Sequence, residues 1–405
     1  MKNCNIYICL FFLSLIFPFQ AQNLKEGHWY GDFKLQEKHQ LFFHFSVDGM
    51  QNMTIHNDKE NVEMQSFEKV NDSIRVYFSS FPNYLIFKIN KDNPHKIKGF
   101  FVNPARKSNG RVAFIAEYFG KEVENLPNNQ STHKNIAGKW QTTFNAETNN
   151  AYPAIGIFKQ NEDLIRGTFL TETGDYRFLS GRIIDNQLRL SSFDGSHVFL
   201  FKATLKNDTL KGEFLSGNHW KTNWIAARND DFKLKSPDSL TYMVKDDFEF
   251  NFKTLENKDY IFPNKELKNK VVIVQILGTW CSNCLDETRF YKELYDEYHS
   301  EGLEIIGVAY EYPKTFEGKI KRVKQFSNQK DIVYPILIGG NASKAESSAD
   351  FHMFNSISSF PTSVFLNKNG EVVKIHTGFN GPGTGEIYEE YKKKTKALIE
   401  KLLKE

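Results

Sequence analysis

Cysteine is scarce. The 405 residues contain 4 cysteines, and Cys4 and Cys9 both lie in the apolar opening stretch. Only Cys281 and Cys284 remain for the body of the chain. A small scaffold stapled by several disulfides is therefore excluded. An excess of one charge is also missing, with Lys+Arg 52 against Asp+Glu 49. That balance gives no reason to propose a nucleic-acid surface or a basic membrane patch. Beyond the opening stretch no run is long and apolar enough to cross a bilayer as a helix. What is present is ordinary for a folded protein, with 40% hydrophobic and 25% charged residues. The length allows roughly two or three domains. Phenylalanine is abundant, at 37, and aromatic rings fit half-buried strands.

The opening stretch has the pattern of an export signal. Lys2 supplies a positive start, Ile6 to Phe19 is apolar, and Gln20-Ala21-Gln22 follows. We expect a signal peptide over residues 1–21, cleaved near Ala21, and an exported, periplasmic chain. A lipid-bearing cysteine would follow the apolar run, which neither Cys4 nor Cys9 does. The run is also short for an uncleaved anchor.

Two stretches, 22–120 and 136–230, look like copies of one unit. Gly27-His28-Trp29 answers Gly138-Lys139-Trp140, and Leu85-Ile86-Phe87-Lys88 answers Phe199-Leu200-Phe201-Lys202. Ile97-Lys98-Gly99-Phe100-Phe101 answers Leu210-Lys211-Gly212-Glu213-Phe214. Short apolar runs separated by Asn, Asp, Gly and Lys turns predict two tandem all-β units, barrel- or sandwich-like. Trp29 and Trp140 read as core aromatics. A linker rich in Pro, Asn, Gln and Ser spans 121–135, and Asn229 to Ser239 marks the next boundary.

From about 240 to 405 the pattern changes to alternating strands and helices, an α/β arrangement. Val271 to Leu277 predicts a buried strand and Cys284 to Tyr298 a helix. Ile332 to Ile338 reads as a strand or extended segment and Ser343 to Phe354 as a helix. Thr362–Leu366 and Glu371–His376 form a hairpin around Asn369-Gly370, and Glu386 to Leu403 is an amphipathic closing helix. Gly378 to Gly385 is glycine-rich without the Gly-Lys-Ser/Thr ending of a phosphate loop, so it reads as a flexible lead into that helix.

Between the buried strand and the helix stands Gly278-Thr279-Trp280-Cys281-Ser282-Asn283-Cys284-Leu285-Asp286-Glu287. Two cysteines at this spacing point to thiol–disulfide chemistry. Free N–H groups and the positive end of the helix dipole favour a thiolate at the first cysteine. The second can close a disulfide or release a trapped partner. A zinc or copper site here would need two further ligands, and no metal site is expected.

This region, roughly 245–405, resembles the thioredoxin superfamily, and within it the TlpA-like exported thiol–disulfide oxidoreductases. The resemblance rests on Trp280-Cys281-x-x-Cys284 after a hydrophobic strand, on Phe360-Pro361-Thr362, on the Asn-Gly hairpin and on the closing helix. It implies an α/β thioredoxin-like fold following the two β units. It implies that Cys281 attacks and Cys284 resolves, with Trp280 beside the sulfurs. It implies a cis-proline at Pro361 and backbone pairing of substrate at Phe360. It places an acid–base carboxyl at Glu287, whose competing reading is a solvated partner for Arg289 or Lys292. Protein disulfides would be the substrates and a membrane thiol–disulfide protein the electron donor. No small organic cofactor is expected; the Cys281–Cys284 pair itself carries the electrons.

Two positions depart from the family. Asn283 stands where proline often precedes the second cysteine, and Gln275 where many thioredoxins bury an aspartate. The direction of electron flow thus follows the resemblance alone, which favours reduction. A different class of reading makes the tandem β units a binding module, with the thioredoxin-like domain as scaffold.

Overall fold

Residues 23–106, 108–122 and 134–405 are described by the computed structural model. The expected leader at 1–21 and most of the linker at 121–135 lie outside the described residues. Strict alternation builds both β units. In the strand Gly27–Lys34, Trp29, Gly31 and Phe33 are buried and the residues between them are not. In Gly138–Phe144, Trp140, Thr142 and Phe144 repeat the pattern. A period of two buries one face of a strand. Both tryptophans are fully buried, and each indole N–H donates to the carbonyl four residues earlier: Lys25 at 3.0 Å, Ile136 at 2.8 Å.

Each unit is an antiparallel nine-stranded sheet, but the two close differently. In both, the first strand pairs with the second and with the last, so the chain ends meet inside the sheet. In the second unit Tyr152–Asn161 also pairs with Leu164–Thr171, which pairs with Leu179–Ile184. That completes a barrel. In the first unit the edge strands Glu60–Glu63 and Glu68–Val70 do not pair with each other. The sheet stays open there.

Phe193 of the second unit fills that open cup. It is buried and meets Phe33 at 4.7 Å, Phe101 at 5.4 Å, Phe43 at 5.5 Å and Phe78 at 5.6 Å between ring centres. Asn57 fixes the insertion: its side-chain oxygen accepts from the Phe193 N–H at 3.1 Å, and its amide donates to Ser192 Oγ at 3.2 Å. The core of the open unit is continuous with that of the C-terminal domain, whereas the closed barrel keeps a core of its own.

The C-terminal domain has a seven-stranded mixed sheet. Its strand Val271–Leu277 lies between parallel Leu303–Glu311 and antiparallel Thr362–Leu366, and all its residues are buried. Burial on both faces explains an apolar run without alternation. Four helices accompany the sheet: α1 (Ser282–Tyr298), α2 (Phe316–Lys330), α3 (Lys344–Asp350) and α4 (Glu386–Lys404). No helix among the described residues is long and apolar enough to cross a membrane.

Three boundaries differ from the sequence expectation. Helix α1 begins at Ser282 rather than Cys284, because Cys281 Sγ caps it by accepting from the Cys284 N–H at 3.1 Å. Sulfur lies outside the usual capping set, so the signal was not readable. Of the strand or extended segment expected over 332–338, only the part from Ile336 is strand, since Asp331 ends α2 in a left-handed conformation and Pro335 has no N–H to pair. Helix α3 stops at Asp350, and Phe351 and Phe354 instead join an aromatic cluster around Phe248.

Candidate active site

Cys281 and Cys284 form a disulfide at the N-terminus of α1. Cys284 is buried and Cys281 half-buried, so only the first sulfur meets the surface. The turn before them is held tightly. The Cys281 N–H donates to Gly278 O at 3.0 Å. A Cβ at Gly278 would come within 2.4 Å of the Trp280 indole, so only glycine fits. Trp280 donates its ring N–H to Tyr310 O at 2.9 Å and packs edge-on to Phe360 at 5.8 Å. The Phe360–Pro361 peptide is cis, and Phe360 O lies 3.6 Å from Cys281 Sγ. Trp280, Cys281, Cys284, Phe360 and Pro361 thus come together although about eighty residues separate the two groups.

Two buried carboxyls support the turn. Glu287 lies one helical turn beyond Cys284 and is fully buried. It pairs with neither Arg289, which bonds Asp286, nor Lys292, which bonds Asp296. Instead Gln275 Nε2 at 2.8 Å and Ser363 Oγ at 3.0 Å donate to one oxygen, and the Tyr291 hydroxyl at 3.1 Å donates to the other. Burial without a cation pushes its pKa up to about 8, against the lowering effect of these donors. Gln275 is therefore the amide that orients Glu287. Glu311, at the end of its strand, accepts from the Thr279 N–H at 2.7 Å and the Thr279 hydroxyl at 2.8 Å. Burial pushes it up to about 7. Arg322 donates to Thr279 Oγ1 at 3.0 Å and to Ser80 O of the open unit at 2.9 Å.

The closed barrel reaches this site directly. Ser196 Oγ lies 3.5 Å from Trp280 O, His197 Nδ1 lies 3.4 Å from Ser282 Oγ, and Asn283 Nδ2 lies 3.5 Å from Asp175 O. Buried Arg177 of the barrel ion-pairs with Glu60 of the open unit, with Asp194 at 3.3 Å, and with Asp286 of α1. One guanidinium thereby ties all three domains. Burial opposes ionisation of Asp194, but His197 and Arg177 outweigh it and hold the group at about 2. The glycine-rich stretch 378–385 is tethered rather than a flexible lead: Gly378 N–H donates to Pro361 O at 2.7 Å, and Gly381 N–H to Asp175 Oδ2 at 2.6 Å. A cavity of about 430 Å³ opens between barrel and disulfide, walled by Tyr152, Tyr176, Phe199, Trp280, Cys281 and Phe360.

Comparison with known proteins places this geometry. The family model described as Redoxin matches residues 247–391. The C-terminal domain is a Redoxin domain. A stretch of 114 residues is 31% identical to the thiol-disulfide oxidoreductase ResA of Halalkalibacterium halodurans, covering 28% of this chain and 57% of the relative. A stretch of 132 residues is 33% identical to ResA of Bacillus thuringiensis subsp. konkukian, covering 32% and 66%. Both matches thus leave a third or more of the relative's own length uncovered. Among solved structures, StoA from Bacillus subtilis is 26% identical over 36% of this chain and 96% of its own, with a TM-score of 0.26. The expected fold class holds: two all-β units, one a barrel and one a half-barrel, precede a thioredoxin-like Redoxin domain.

Sequence reading did not single out Glu311, Arg322, Arg177 or the 192–197 segment. Each is an ordinary polar or aromatic position in the linear chain. Only its burial against another domain gives it a role.

Proposed function

We propose that the protein is an exported thiol–disulfide oxidoreductase that reduces protein disulfides through Cys281 and Cys284. The observation that carries this is the Cys281–Cys284 disulfide capping α1, with Phe360 O beside the first sulfur. The reduced Cys281 thiolate attacks one sulfur of a substrate disulfide. A mixed disulfide forms, and the other substrate sulfur leaves as a thiolate and takes up a proton. Cys284 loses its proton and attacks Cys281 Sγ, which reforms the observed disulfide and releases the second substrate thiol. On this reading Glu287, one helical turn beyond Cys284 and raised by burial to about 8, exchanges that proton. Two electrons from a membrane dithiol protein then restore the reduced pair. The resemblance to TlpA-like proteins favours this direction, and the leader pattern at 1–21 supports export.

A second contribution comes from the cavity. Tyr152, Tyr176 and Phe199 of the closed barrel line it together with Trp280, Cys281 and Phe360 of the C-terminal domain. The β units on this reading hold substrate against the cysteine rather than act as a separate binding module.

Cys284→Ser tests the chemistry. It should accumulate mixed disulfides on Cys281 in cells, and the wild type should reduce insulin with a dithiol donor. Absence of both adducts and turnover would sink the enzyme reading. Tyr152→Ala should slow a peptide disulfide more than Ellman's reagent; equal slowing would remove the barrel from substrate binding.

A further inference from the structure

The open β unit carries three histidines that the redox chemistry leaves unused. The strands Gly27–Lys34, Gln40–Val47 and Met53–Asn57 are neighbours. Trp29, Phe45 and Ile55 turn into the core, so His28, His44 and His56 share the opposite face. Register places His44 directly across from His56 and across from Tyr30 on the first strand, two residues from His28. The three rings lie 4.6, 5.0 and 6.0 Å apart between centres. One ligand nitrogen from each falls within 4.8 Å of the others.

Their hydrogen bonds leave lone pairs suited to a metal. His56 Nδ1 lies 2.8 Å from Asn61 Oδ1, an acceptor, so Nδ1 carries the proton and Nε2 carries the lone pair. That Nε2 meets only the Ser46 hydroxyl, at 2.8 Å, which can rotate away. A metal-bound imidazole almost always donates its other ring N–H to an outer acceptor that fixes the tautomer, and here the Asn61 carboxamide oxygen is that acceptor. His28 Nδ1 and His44 Nε2 lie 2.8 Å apart, and at most one proton can sit between them. The Tyr30 ring stacks on His44 at 4.4 Å and steadies it. In a tetrahedral site with metal–nitrogen bonds of about 2.0–2.1 Å, ligand nitrogens stand about 3.3 Å apart. His28 Nδ1 and His44 Nε2 stand 2.8 Å apart and the three ligand atoms all lie within 4.8 Å of one another, a spread that contains that value. Side-chain rotations would close the site without moving the sheet.

We propose that His28, His44 and His56 bind one divalent zinc or copper ion, with a fourth position left to solvent or an exogenous ligand. Three imidazoles without a carboxylate select such ions against magnesium and calcium. The site is absent from the linear reading because the histidines sit on three strands, and only antiparallel register brings them together.

The test uses the untagged mature chain, stripped with a chelator, with Cys281–Cys284 kept oxidised so that no thiolate competes. Titration calorimetry with zinc chloride and with copper(II) chloride should show one equivalent bound. His44→Ala and His28→Ala, which each remove a ligand, should weaken it by more than the roughly 10–100-fold that loss of an outer partner costs, while His352→Ala should not. Circular dichroism melts report whether the variants fold. X-ray absorption at the metal edge of the loaded wild type should find three imidazole donors. No saturable uptake of either ion, undiminished uptake by the folded variants, or fewer than three imidazoles would overturn the assignment.

Discussion

The two β units share an opening tryptophan, a strand order and a turn pattern, yet one closes and the other does not. In the closing strands the difference is chemical. The second unit uses Leu164–Thr171, with Ile165, Phe169 and Leu170 buried, and this strand pairs on both sides. The first uses short charged segments, Glu60-Asn61-Val62-Glu63 and Glu68-Lys69-Val70, which have too little apolar surface to seal. The gap is filled by Phe193 from the closed unit. The lesson is a division of labour. The closed copy has an independent core and can extend its rim over the redox site, while the open copy merges its core with the Redoxin domain.

Removing the tie between the copies should have the largest effect. Arg177→Ala leaves Glu60, Asp194 and Asp286 without their shared cation. Breaking a buried pair costs about 3–5 kcal/mol, readable as a lowered urea midpoint. An unchanged midpoint would mean that the copies are joined by packing alone.

The carboxylate that neither copy pairs with a cation behaves in the opposite sense. Glu287 is held at about 8 against an ordinary value of 4.5, so the folded chain keeps a proton that the unfolded chain releases. Stability should fall as pH rises from about 4.5 to 8, by at most about 5 kcal/mol. Glu287→Gln should make that slope shallower in denaturant titrations at several pH values and remove its part between about 7 and 8, leaving the part below about 7 that Glu311 supplies. Asp194, held at about 2 against 3.8, contributes stability above pH 3.8 that is lost as pH falls through about 2. If the Gln variant keeps the slope, Glu287 is not the group responsible.

Unplugging the open cup comes next. Phe193→Ala removes four aromatic contacts, and such a truncation costs about 3 kcal/mol. The loss should appear in the thermal midpoint, with faster proteolysis of the open unit before the closed one. Simultaneous cleavage of both would show that they unfold together. The smallest effects come from the matched tryptophans. Trp29→Phe and Trp140→Phe each lose one indole hydrogen bond, about 1 kcal/mol. Trp140 should cost slightly more, since the Arg228 guanidinium stacks on it at 4.7 Å. A larger loss at Trp29 would break the equivalence of the two openings.

Much of this was legible in the chain. Strand alternation and turn residues gave the two all-β units, and the hydrophobic run before Trp280 gave the central strand. The paired cysteines and Phe360-Pro361 were visible as motifs because their chemistry depends on local spacing. Less visible was the environment of Glu287, whose raised pKa depends on burial beside Gln275, Ser363 and Tyr291. The tether on the 378–385 stretch was missed because glycine-rich composition reads as flexibility, while its hydrogen bonds come from Asp175 and Pro361 far away in sequence.

By itself, then, the sequence determined the local matters: which segments are strands or helices, where the paired cysteines stand, and where a thiolate would be favoured. Those follow from periodicity, capping and the chemistry of adjacent residues. Only the tertiary structure decided that one repeat closes and the other stays open, that Arg177 joins three domains, and that a barrel rim stands over Cys281. These depend on contacts between residues far apart in the chain, whose energy comes from burial and pairing that no local pattern records.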